Sequence, residues 1–279
     1  MGNNKSMTCK NQYPSPTFDA NSTQKKELDD QQIAKLPFDQ LIAAMKECRY
    51  CQNEFGFEPR PIQWGNPDAK IVMVSQAPGL KVHDLGKPFS DLSGKKLRQK
   101  WFYVTEDQFY NKSNFYFSMA GHCFPGKAAK GHDRKPPKIC WKRWTKHELE
   151  HLKEAELFLI IGQEAASRLF PGQKLEDLVF SHQTLNGKPC YFLPHPSPLN
   201  YRWTKNHPEF EQVWLPEIRA KIYEILGLPP EQMEFYKNLQ KPLVESWQKA
   251  SARTKKEERS EPDKKQPGKT EQPIEPDPQ

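Results

Sequence analysis

The 279 residues would make one large domain or two small ones. With only 35% hydrophobic residues and 26 Pro, part of the chain is expected to lie outside any packed core. The excess of 42 Lys/Arg over 35 Asp/Glu, +7, suits a polyanionic partner without requiring one. No apolar run approaches the roughly 20 residues that cross a bilayer.

Residues 1–34 are polar, without a sustained apolar period, and read as a disordered arm. The start has no apolar signal-peptide core. It meets the pattern M-G-x-x-x-[ST] across Met1–Ser6, a loose match that polar starts reach by chance. These features describe a cytoplasmic chain, in which six Cys favour metal ligation over disulfides.

Phe38, Leu41, Ile42 and Met45 recur at helical spacing. This helix delivers Cys48 and Cys51, a C-x-x-C pair, into the turn that ends it. The apolar run Ile71–Val74 reads as a buried strand and opens into the loop Ser75-Gln76-Ala77-Pro78-Gly79. The loop continues past His83 and Gly86 to Phe89 and Asp91, and a helix begins at Leu92. A second strand over about 114–119 leads to Cys123. Pro125–Pro137 is a basic loop rich in Pro and Gly. Cys140 opens another helix, Leu157–Ile161 is a third buried strand, and 163–170 a short helix. A last strand, Tyr191–Leu193, runs into His195-Pro196-Ser197-Pro198. A long helix from about Pro208 turns Phe210, Val213, Ile218 and Ile222 inward and stops at Gly227. The domain thus covers 35–228, and 229–279 is a mostly disordered polar tail.

Strands alternating with helices indicate a parallel sheet covered on both faces. Ligands bind beyond the carboxyl ends of such strands, so the loops at 75–79 and 195–198 are expected to face each other across one site. Cys48, Cys51, Cys123 and Cys140 fit either a tetrahedral zinc or a [4Fe–4S] cluster, and their spacing leaves both open. Cys9 and Cys190 read as bystanders.

The Ser75–Gly79 loop after its strand, Gly86-x-Pro88-Phe89, the four Cys in this order and His195-Pro196-Ser197-Pro198 together resemble the uracil-DNA glycosylase superfamily, in particular its iron–sulfur families four and five. The resemblance runs from about Cys48 to Leu226. It implies a three-layer α/β sandwich around a four-stranded parallel sheet, and hydrolysis of the N-glycosidic bond of uracil in DNA by a monomer. It also implies a [4Fe–4S] cluster on Cys48, Cys51, Cys123 and Cys140, with zinc the alternative. His195 would donate to the departing base, Gln76, Ala77, Gly79 and Phe89 would form the base pocket, and Leu199 would be a wedge. Ser197 and Arg202 would contact DNA, and Lys81, Lys87, Arg134, Lys135, Lys138 and Lys205 would meet phosphates.

The chain departs from other branches where Ala77 and Gly79 replace an Asp and a Tyr, and where Met119 replaces an Asn. Asp91 and His83 are the remaining candidates to activate water. The departures also admit a second function, a glycosylase-like protein that binds DNA or damaged bases with little or no hydrolysis.

Overall fold

A computed structural model of the chain describes residues 28–55, 58–129 and 131–240. Most of the expected amino-terminal arm and of the tail, including Cys9 and the Met1–Ser6 pattern, lies outside these residues. The described part of the arm is structured. Asp29 and Gln32 form a capping box for one helical turn, α1 (Asp30–Ile33), and Ile33 is fully buried.

The apolar stripe read at 38–45 forms α2 (Phe38–Lys46), which buries Leu41, Ile42 and Met45. A second helix, α3 (Tyr50–Phe55), follows and carries Cys51. Next come β1 (Ile71–Ser75), α4 (Leu80–Leu85) and α5 (Leu92–Lys96), the last continuing as a π-helical turn, Leu97–Phe102. Then α6 (Glu106–Tyr110) precedes β2 (Phe115–Met119). The Cys140 helix is composite: α7 (Lys138–Cys140), a π turn (Trp141–Thr145) and α8 (Lys146–His151). β3 (Leu157–Ile161), α9 (Gly162–Leu169) and α10 (Leu175–Val179) come next. The hairpin of β4 (Gln183–Leu185) and β5 (Lys188–Leu193) leads through a 3-10 turn (Pro198–Asn200) to α11 (Tyr201–Asn206). A π turn (Phe210–Trp214) then enters α12 (Leu215–Leu226), which ends at left-handed Gly227.

The sheet has five strands in the order β2-β1-β3-β5-β4. The four expected strands pair in parallel. The fifth, β4, adds an antiparallel edge through an Asn186-Gly187 turn in which both residues have positive φ. Every residue of β1, β2 and β3 is buried. Because successive side chains point to opposite faces, both faces of these strands are covered. One inward assignment is corrected: Val213 is 58% exposed. The π turn at 210–214 breaks the 3.6-residue period on which that assignment rested, so Phe210 and Leu215 are buried instead. Beyond Gly227, residues 230–240 are helical. There Gln232 donates to the Tyr103 carbonyl (2.9 Å) and Tyr236 stacks on Tyr103, so the domain continues past 228.

Candidate active-site groove

β1 and β5 are not neighbours; β3 lies between them. Their loops meet because the His195 loop leans across the end of β3, where the chain turns through Gly162 at φ +82. A Cβ on Gly162 would lie 3.7 Å from the His195 ring. The result is an open groove of about 450 Å³. Gln76, Ala77, Gly79, Phe89, Asp91, His195, Ser197 and Leu199 all line it, so the structure brings together eight of the residues singled out from sequence.

Phe89 is half-buried, edge-on to Phe109 and Phe117 (centroids 6.0 and 5.2 Å). Its backbone is left-handed (φ 54), and its carbonyl accepts from Arg98 (3.1 Å). A Cβ on Gly94 would fall 1.7 Å from that carbonyl oxygen, so α5 approaches this loop as closely as it does only because residue 94 is glycine. Asp91 is the N-cap of α5: its Oδ1 accepts from the Gly94 N–H (3.1 Å). The β1 loop is tied to the end of β2, with Ala120 N–H donating to Ser75 O and Gly121 N–H to Gln76 O.

Nδ1 of His195 accepts from the Ser197 N–H (3.2 Å), and its carbonyl accepts from Asn200 (3.2 Å). An accepting Nδ1 places the ring proton on Nε2. The side chain is exposed at the groove, yet desolvation by the protein packed around it lowers the His195 pKa, and this outweighs the opposing pull of Asp91 and Asp133. The imidazole is therefore neutral at physiological pH and holds an Nε2–H donor. Leu199, 94% exposed, stands on the 3-10 turn whose amino end is capped by Ser197 Oγ (3.3 Å).

Two expected site residues lie elsewhere. His83, on α4, is outside the groove lining and faces Phe124 instead (6.0 Å between centroids). Arg202 is exposed on α11, also outside the lining. Two of the basic side chains are already paired within the protein: Lys87 with Glu106 (2.9 Å) and Lys135 with Glu164 (2.6 Å). Sequence reasoning missed His132 and Asp133, which the 125–137 loop places in the groove wall. The pair stands out by composition in an otherwise basic loop, but nothing in the sequence places it in the groove.

A second cavity, lined by Cys48, Cys51, Cys123 and Cys140 among prolines, Met45 and Trp144, lies beyond the end of β2. Burial pushes Cys51 up to about 11 and Cys123 to about 12, and the cysteines raise one another further. The same causes raise Cys140. The four sulfurs are thus within electrostatic reach of each other. The His122 N–H points at Cys140 Sγ (3.4 Å). Among the described residues, no group of three or more His, Cys, Asp or Glu is gathered as a metal ion would require.

Beneath this cavity lies a buried polar network. Glu148 accepts from Tyr116 OH (2.5 Å) and from Ser118 Oγ, and pairs with His122 Nε2 (3.3 Å). His122 Nδ1 meets the Ile62 carbonyl (3.0 Å). Its Nε2 meets Thr145 Oγ1 (3.1 Å), whose own proton goes to the Met119 carbonyl. Both ring nitrogens therefore donate, and the ring is cationic. Burial alone would lower the His122 pKa; Glu148 reverses this and leaves it raised.

An open α/β sheet with a polar groove across its strand ends defines an enzyme-like α/β protein whose ligand meets several loops at once. The family model described as the uracil DNA glycosylase superfamily matches residues 62–219, more than half of the 279. The chain belongs to that superfamily, whose members act on DNA as glycosylases. The matched span includes Cys123 and Cys140 but begins after Cys48 and Cys51. Among the described residues no helix is long and apolar enough to cross a membrane.

Proposed function

We propose that the protein is a DNA glycosylase that hydrolyses the N-glycosidic bond of uracil, and by extension of other deaminated bases, in the manner of the iron–sulfur branches of its superfamily. The observation that carries this reading is the placement of His195, whose Nδ1 accepts from the Ser197 N–H and so leaves Nε2–H as the donor, in a groove that also holds the Phe89 ring.

A base must leave the helix to enter such a groove, at a cost of a few kcal/mol. Phe89 offers a face for it to stack on. As the glycosidic bond breaks, negative charge builds on the base. A donor held in place stabilises that charge without reorganising, and His195 is such a donor, fixed by Ser197 and Asn200. Leu199 would fill the gap left in the duplex.

The reading includes a [4Fe–4S] cluster on Cys48, Cys51, Cys123 and Cys140. Four thiols line one apolar cavity, a donor set that a [4Fe–4S] cluster or a zinc ion would use, and the resemblance to the iron–sulfur branches favours the cluster. The His122 N–H aimed at Cys140 Sγ suits a thiolate ligand. When bound, the cluster would cross-link the α2–α3 turn to Cys123 and α7. A brown protein with equal iron and acid-labile sulfide supports it; a colourless zinc protein replaces it.

The second function, DNA or damaged-base binding with little or no hydrolysis, is favoured by Ala77 and Met119, neither of which can polarise water. Incubation with uracil-containing single strands and U·G duplexes, followed by alkali, separates the two. Strand breaks at uracil support the glycosylase. Tight, salt-dependent binding without abasic product, in protein with its metal site filled, supports the binding protein instead.

A further inference from the structure

Resting on the hydrolytic reading above, we propose that Asp133 is the catalytic carboxylate of the groove, the group that orients the attacking water and takes its proton. Three observations converge on it. First, the β1 loop has no carboxylate, and Gly79 leaves a space there. Asp133 Oδ2 lies 3.7 Å from where a Gly79 Cβ would be, so this side chain stands over the bare part of the loop. Second, its backbone is held in a small hairpin. Lys127 and Asp133 form an antiparallel bridge, Ala128 N–H donates to His132 O (2.8 Å), and Arg134 N–H donates to Gly126 O (2.9 Å). Lys127 Nζ takes Oδ1 (2.6 Å), which fixes the carboxylate with Oδ2 toward Gly79.

Third, the hairpin is clamped to the groove at both sides. Pro136 packs so closely on Gly121 that a Cβ there would lie 2.4 Å away. Lys135 pairs with Glu164 of α9 (2.6 Å), the helix that begins beside His195. The alternatives are weaker by position: Asp91 lines the groove but spends Oδ1 on the α5 cap, and His83 lies outside the groove.

In the step proposed, the water oxygen bonds to the sugar C1′ as the C1′–N bond breaks. The electron pair of that bond leaves on the base, where the Nε2–H of His195 stabilises it. The water proton passes to Asp133 and then to solvent, leaving an abasic site and the free base.

The test is single-turnover excision from a uracil-containing single strand by full-length wild type, D133N and D133A. Loss of a general base predicts a fall of about 100-fold or more for D133N, with melting temperature and affinity for uncleaved DNA unchanged, and partial recovery of D133A by added formate. A D133N rate within about threefold of wild type overturns the assignment while uracil excision stands. A fall matched by an equal loss of DNA affinity or of folding, without formate rescue, also overturns it. A wild type that excises nothing removes the hydrolytic reading itself, and this inference with it.

Discussion

Met119 lines the groove, whereas Gly121, His122 and Cys123, a few residues further along the same strand end, line the thiol cavity. The two regions use that shared segment in opposite ways. In the groove, His195 Nε2 and Asp133 Oδ2 keep bonding capacity in hand, and the apolar tip of Leu199 stands in solvent. Around the cavity, polar groups are spent on one another, with His122, Glu148, Thr145, Tyr116 and Ser118 closing a network that needs no outside partner. Spare capacity suits a ligand that arrives and departs, and closed capacity suits a permanent fixture. Substitutions on the cavity side should therefore cost stability, and those on the groove side should cost rate.

The largest effect is expected on the cavity side. Glu148→Ala leaves a buried imidazolium and two buried hydroxyls without their acceptor. Removing one partner of a buried pair costs about 3–5 kcal/mol, so urea unfolding should show a loss of that size. A loss under about 1 kcal/mol would mean that water or a rearranged His122 replaces the carboxylate, and the contrast between the regions would fail there.

On the groove side, His195→Ala should leave the unfolding curve nearly unmoved and reduce uracil excision by roughly 100- to 1,000-fold, the scale for one preorganised donor to a developing anion. Activity should also tolerate acid. Because the His195 pKa is lowered, its neutral form persists as pH falls below the ordinary value of 6.5 and is lost only on crossing the depressed one. A pH–rate profile whose acidic limb begins above 6.5 would contradict the lowered His195 pKa.

The legibility of the two regions differs in the same way. The continuous apolar runs that became β1 and β3 were readable because strands buried on both faces need no alternation, and the aromatic run that became β2 was read as a strand as well. The fifth strand was not read, although Asn186-Gly187 is a strong hairpin signal, because β4 is only three residues long and half-exposed. Groove residues that adjoin strand ends were legible from position alone. Asp133 was not, because its placement depends on a hairpin packed on Gly121 and tied to Glu164, contacts distant in sequence. The basic residues misled for a related reason: composition counts a Lys as free, whereas Lys135 and Lys87 are paired within the fold. His83 misled because helix α4, unread in the sequence, turns it away from the groove.

The smallest effect tests the groove's claim at its rim. Leu199 contributes almost nothing to the fold, since 94% of it is already in water, so Leu199→Ala should change stability by no more than about 0.5 kcal/mol. Its value as a wedge would come only when it is buried between bases. A leucine fully transferred from water is worth roughly 1.5–3 kcal/mol, and a partly buried wedge predicts a loss of about tenfold on duplex substrate. A single strand has no stack to fill, so excision there should be unchanged. An equal loss on both substrates would make Leu199 a general contact to the flipped nucleotide, and no loss on either would leave it outside the DNA interface. Only a loss confined to duplex fits an exposed leucine held on a capped turn at the groove mouth.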